Sequence, residues 1–150
     1  MSDLVSESTV PPVRYPFEYA LLRVVPRIER GESLNAGVVL YSRPLDFLGA
    51  RVHLDVQRLH ALDPAADAAM ITAALEAVHA HCAPGQWAHE RVEARHAAPA
   101  GREDRGRRFR RLTAPRSTIV QAGPVHTGLT ADPEAELEHL LTSLVLPLPH

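Results

Sequence analysis

"FEYALLRVVPRIERGESLNAGVVLYS", Phe17–Ser42, holds two apolar runs separated by a charged loop. The first, Phe17–Pro26, is almost unbroken and rich in aromatic and branched residues. Its ten-residue length and terminal Pro26 favour a central strand over a helix. The second run, Asn35–Ser42, has the same character. The connecting "RIERGESL" is charged and contains Gly31, so the two runs are expected to pair as antiparallel neighbours across a long loop. Further on, "GARVHL" (Gly49–Leu54) alternates Val52 and Leu54 with Arg51 and His53. Residues two apart share a face, so this reads as a half-exposed strand.

Helical spacing follows. Val56, Leu59 and Leu62 mark a short helix, and Asp63-Pro64 reads as an N-cap with a first-turn proline. Ile71, Leu75, Val78 and Cys82 then form one apolar stripe of a longer helix, which Pro84-Gly85 should end. In "QWAHERVEARHAA" (Gln86–Ala98), Trp87 and Val92 could cover an edge of the core. Pro99–Gly106 reads as a loop. Arg107–Thr113 and Ser117–Gln121 read as a hairpin turning at Ala114-Pro115. Asp132-Pro133 opens a closing helix with Glu134, Glu136 and Glu138 near its positive end. Leu137, Leu140, Leu141 and Leu144 supply its buried face, and Pro147 stops it. The expected fold is α+β, a mainly antiparallel sheet of about four to five strands with two main helices packed on it. Residues 1–16 are expected to be a mobile lead, and 17–147 a single domain.

The chain has 150 residues, with 45% hydrophobic and 23% charged, the balance of an ordinary globular protein. A net charge of -2 argues against a domain that coats nucleic acid. Only the basic segment Arg102–Arg111 suggests contact with nucleic-acid phosphates. All 16 Lys and Arg residues are arginine, a bias that points to a GC-rich genome and lowers the weight of each arginine as a functional signal. Cys82 is the single cysteine, so no intramolecular disulfide can form and a reducing cytoplasm is the simpler setting. Met1–Val10 is polar and acidic, unlike a signal peptide, and no apolar stretch reaches membrane-spanning length.

Three polar groups are candidates for chemistry. Arg23 lies inside an apolar strand, where an unpaired guanidinium is costly. It should therefore pair with Glu18, Glu29 or Glu32, or project with Arg27 and Arg30 into a pocket for an anion. Arginine suits phosphate or carboxylate because its planar fork donates two parallel hydrogen bonds. Arg116-Ser117-Thr118 could hold an anion through turn amides and hydroxyls, or could simply close a turn. His126 could serve as a general acid or base. However, no Gly-x-Ser-x-Gly elbow is present, and no carboxylate is placed to orient the ring. His79, His81, Cys82 and His89 lack zinc-ligand spacing and there is no Gly-rich phosphate loop, so no metal and no cofactor are expected.

Two segments, "FEYALLRVVPRIERGESLNAGVVLYSR" and "RRFRRLTAPRSTIVQAGPVHTGLTADPEAELEHLL", together resemble the bacterial domain of unknown function 3037 family. Arg23, Arg27, Glu29, Arg30, Asn35, Gly37, Arg116, Ser117, Thr118, His126 and Gly128 fall on its motif positions. The resemblance brings no established activity and no catalytic residues. It suggests a HipA-like kinase as a partner. The leading expectation is a small cytoplasmic binding or accessory protein with an arginine-lined anion site. The rival is an enzyme acting on a phosphate ester or nucleotide, with Arg23, Arg27 and Arg116 holding the anion and His126 moving the proton. Both require the two end segments to meet on one concave surface.

Overall fold

The computed structural model describes residues 11–82 and 101–149, with side chains described from 104 onward in the second stretch. The expectations for residues 1–10, for Pro84-Gly85 and for Gln86–Ala98 lie outside the described residues. The order is β1 (Tyr15–Val24), β2 (Leu34–Ser42), β3 (Phe47–Val52), α1 (Val56–Leu62), α2 (Ala68–His81), α3 (Gly101–Leu112), β4 (Val120–Ala122), β5 (His126–Thr130) and α4 (Pro133–Leu140), followed by a wider π-type turn over Leu141–Val145. The protein is α+β, with a five-stranded antiparallel sheet. No helix among the described residues is long and apolar enough to cross a membrane.

The strand order is β3-β2-β1-β4, and β5 also pairs with β1. The two unbroken apolar runs, β1 and β2, occupy the middle because both of their faces are covered. Ala20, Leu22 and Val24 meet Leu59 of α1, Ile71 and Leu75 of α2, and Phe109 of α3. Phe17, Val38 and Leu40 face the other way, against Leu137 and Leu140 of α4. Helices therefore pack on both sides of the sheet.

β4 and β5 run along the same edge of β1 as one interrupted strand. Ala122 lies opposite Leu22 and His126 opposite Tyr19, so Gly123, Pro124 and Val125 span only Leu21 and Ala20. Proline has no N–H to give to a ladder, and the break falls at Pro124.

The closing helix forms as its sequence predicts. Asp132 is the N-cap, its side chain accepting from the Ala135 amide, and Pro133 occupies the first turn. The opening of α2 differs from expectation. Its N-cap is Asp67, accepting from the Met70 amide at 3.0 Å. Asp63 instead ends α1, with its N–H bonded to the Leu59 carbonyl. Its carboxylate accepts from the Ala65 amide, so Asp63-Pro64 shapes the turn between helices.

The expected hairpin over Arg107–Gln121 is the main correction. Residues 101–112 form a helix, and β4 pairs with β1 instead of with the preceding segment. Phe109 and Leu112 are three apart, a helical spacing that lets both face the core. Asp104 and Arg108 sit one turn apart at 3.5 Å, and the Thr113 hydroxyl donates to the Phe109 carbonyl at 2.9 Å. Gly106 permits close approach to the sheet, because a Cβ there would stand 3.0 Å from the Tyr41 hydroxyl.

Candidate functional site

After α3 the chain turns back toward the end of β1. The Val25 amide donates to the Ile119 carbonyl at 2.7 Å, which ties residues 116–120 beside α2. A groove of about 800 Å³ opens between the two. Its α2 wall carries Met70, Ile71, Ala74, Ala77, Val78 and His81. Leu112, Ile119 and Val120 form the facing wall, and Ile28 reaches in from the β1–β2 loop. The polar lining consists of His81, Arg111, Arg116, Ser117 and Thr118.

The charges at this groove are concentrated around His81. Arg108 is almost fully buried and donates from Nη1 to Nε2 of His81 at 3.1 Å, while its Nε lies 3.5 Å from Asp104. A guanidinium can only donate, so the His81 Nε2 must offer its lone pair and the ring is neutral, with its proton on Nδ1. Burial and the nearby charges of Arg108, Arg111 and Arg116 hold the His81 pKa below its ordinary value, and Asp104 opposes them weakly. Arg116 donates to the Arg111 carbonyl at 2.8 Å, which fixes it beside the end of α3. The Thr118 hydroxyl donates to the Val120 carbonyl at 2.8 Å, leaving its oxygen able to accept but not to supply a free proton. Ser117 is exposed.

This geometry implies a pH effect of definite sign. The neutral ring is favoured in the folded state, so the stability contributed by His81 is complete above its unfolded pKa of 6.5 and is lost as pH falls through the lower folded value. The thermal midpoint is expected to drop between pH 7 and pH 5. His81→Gln retains an oxygen acceptor for Arg108 but does not titrate, so it should flatten that part of the profile. An unchanged slope in the variant would assign the acid sensitivity to other groups.

The remaining expected site residues lie elsewhere. Arg23 shares the α4 face of the sheet with Phe17, Tyr19 and Leu21, and its guanidinium lies over Gly123, where a Cβ would stand 3.0 Å from Cζ. The carboxylates expected to pair with Arg23 are taken by other arginines. Glu18 accepts two hydrogen bonds from Arg110 at 2.5 and 2.9 Å, Glu29 lies 3.6 Å from Arg27, and Glu32 pairs with Arg30 at 2.6 Å. Arg27 and Arg30 are exposed in the β1–β2 loop, and Glu32 raises the Arg30 pKa mainly through their hydrogen bond. His126 pairs with Tyr19 across the ladder, their ring centroids 5.2 Å apart, also on the α4 face. The sheet thus separates His126 and Arg23 from Arg116, Ser117 and Thr118. The constellation that the enzyme expectation requires does not assemble.

The sequence reading considers His81 only as a metal ligand, and Arg108 and Arg111 only within the basic segment Arg102–Arg111; it places none of them at a groove. The available signal was the second apolar stripe of α2, Met70-Ala74-Ala77-His81, which runs alongside the Ile71-Leu75-Val78-Cys82 stripe. Burial pushes the Cys82 thiol up to about 12, so it remains protonated and is a poor nucleophile. Among the described residues no three His, Cys, Asp or Glu side chains are placed to share a metal ion.

A family model described as a protein of unknown function, DUF3037, matches residues 19–145. No curated protein and no solved structure matches the chain. The family match spans both end segments and nearly all of the sheet and helices. The chain belongs to the DUF3037 family of proteins of unknown function.

Proposed function

We propose that this protein is a small binding or accessory protein that holds an anionic group at Arg111, Arg116, Ser117 and Thr118. A HipA-like kinase is the partner suggested by the family resemblance. One observation carries the reading: the Arg116-Ser117-Thr118 segment meets Arg111 and the neutral His81 at the edge of a single groove. Two guanidinium groups and the Ser117 hydroxyl can donate to one phosphate or carboxylate, and charge-assisted hydrogen bonds are the stronger kind. The chemistry favours holding over turnover. The His81 lone pair is engaged by Arg108, the Cys82 thiol stays protonated, and His126 lies across the sheet.

Calorimetric titration of the full chain with inorganic phosphate tests this reading. One-site binding is expected, weakened about tenfold or more by Arg116→Ala, the scale of a lost charge-assisted hydrogen bond. Arg30→Ala should leave binding unchanged, because that guanidinium is paired with Glu32 outside the groove. No detectable phosphate binding, or equal weakening by both variants, would remove the anion site. Co-purification of the tagged chain from its host examines the kinase-like partner separately.

A further inference from the structure

We propose that the groove takes a single-chain anionic amphiphile, with its carboxylate or phosphate head at Arg111 and Arg116 and its hydrocarbon chain along α2 toward Met70. This rests on the anion reading above and adds the apolar part of the ligand.

The groove has a direction. The charges of Arg108, Arg111 and Arg116 are felt at His81, which closes the C-terminal end of α2, so the basic end lies there. Met70 is near the other end of the helix, roughly 16 Å away at 1.5 Å per residue. Between them the α2 wall is apolar, and Ala74 and Ala77 keep it shallow enough to leave open space. At the far end, Met70 is 50% exposed, and Ile28, 48% exposed, also lines the groove, so two large apolar side chains are left open to water on its wall. Among the described residues no carboxylate is paired with Arg111 or Arg116, whereas Arg27, Arg30 and Arg110 each have one and Arg51 has two. The charge that complements this end is therefore negative, and the surface that complements the rest is hydrocarbon.

Size favours a small molecule over a docked helix. The volume, about 800 Å³, lies within the range of small-molecule sites. A three-turn helix 10–12 Å across would need roughly 1,300–1,800 Å³. An acidic amphipathic peptide would thus stand about half outside the groove.

Calorimetry with the full chain, using probes below their micellar concentrations, tests the inference. Decanoate or decyl phosphate should bind at one site at least tenfold more tightly than acetate or inorganic phosphate respectively. Decanol should bind weakly, and Arg116→Ala should cost the charged probe about tenfold. Ala77→Trp, at an exposed helix position, should abolish the advantage of the chain while leaving inorganic phosphate binding intact, with folding checked by thermal melting. If phosphate binds but neither decyl probe exceeds its short counterpart, the amphiphile inference is overturned and the anion reading stands. If phosphate fails to bind as well, both fall. Binding of an acidic amphipathic peptide in place of the decyl probes would also overturn the inference.

Discussion

Phe109→Ala is expected to lose about 3–5 kcal/mol of unfolding free energy, the usual cost of emptying a buried aromatic site. Phe109 is 0% exposed and stacks on Tyr41 of β2 with ring centroids 5.5 Å apart. It belongs to the core cluster that also holds Leu75 of α2 and Leu22 of β1. The loss is a large share of the 5–15 kcal/mol that holds a typical domain together. Arg107 and Arg110 flank it in sequence but are exposed. Arg107→Ala should therefore stay within about 0.5 kcal/mol. Arg110→Ala should lose less than about 1 kcal/mol, despite two hydrogen bonds to Glu18, because solvent screens the pair. Urea unfolding of the three variants measures this directly. A Phe109→Ala loss below about 1 kcal/mol would mean that the ring does not anchor residues 101–112 to the sheet.

The same residue shows why the strand expectation for this segment failed. "RRFRRLT" contains only two apolar side chains, and charges on both sides of a lone phenylalanine suit an exposed strand as well as a helix. The spacing from Phe109 to Leu112 was the discriminating feature, but it covers too short a window to decide alone. Long periodic elements were much more legible. β1 and β2 announced themselves as central strands because helices cover both of their faces, and Asp132-Pro133 opened α4 as expected. In "DPAADAAMI" the N-cap expectation falls on Asp63, and the path of the chain instead makes Asp67, four residues on, the cap of α2. The candidate site was legible only in part. The position of Arg116, Ser117 and Thr118 beside a cavity depends on which segment packs beside α2, a long-range fact with no local signature. Likewise, Arg23 visibly alternates with Leu22 and Val24. Which helix covers each face of that alternation is set by the tertiary fold.

Gly37→Ala is expected to lose about 1–3 kcal/mol, the cost of adding a methyl group to a filled site. This is the reverse of the usual gain when a glycine in extended backbone is replaced. The cause is a register irregularity. Leu22 pairs with Gly37 while Arg23 pairs with Asn35, so Ala36 is the extra residue of a β-bulge in β2. The bulge changes the phase of the strand. Leu34 and Ala36 join the core beneath α1–α3 on one side of it, and Val39 and Tyr41 join the same core on the other. Val38 and Leu40 can then face α4. The phase change leaves Gly37 on the same face as Ala36, where a Cβ would stand 2.8 Å from the Arg51 carbonyl oxygen, 3.0 Å from Leu22 and 3.1 Å from Val52. The Arg51 oxygen belongs to the backbone of the neighbouring strand and cannot move aside alone. Gly31 provides the contrast. Its φ is +71° with nothing within 4 Å of a Cβ, so its requirement is conformational and not spatial. Asparagine tolerates that conformation, so Gly31→Asn should be mild, whereas Gly37→Asn should be worse than Gly37→Ala. Combining Gly37→Ala with Val52→Ala removes one of the clashing groups, so the double variant should lose less than the sum of the two single losses, by about 0.5 kcal/mol or more. Strict additivity, or a Gly37→Ala protein as stable as the parent, would show that β2 passes between its neighbours with room to spare and that the bulge does not set the phase of the strand.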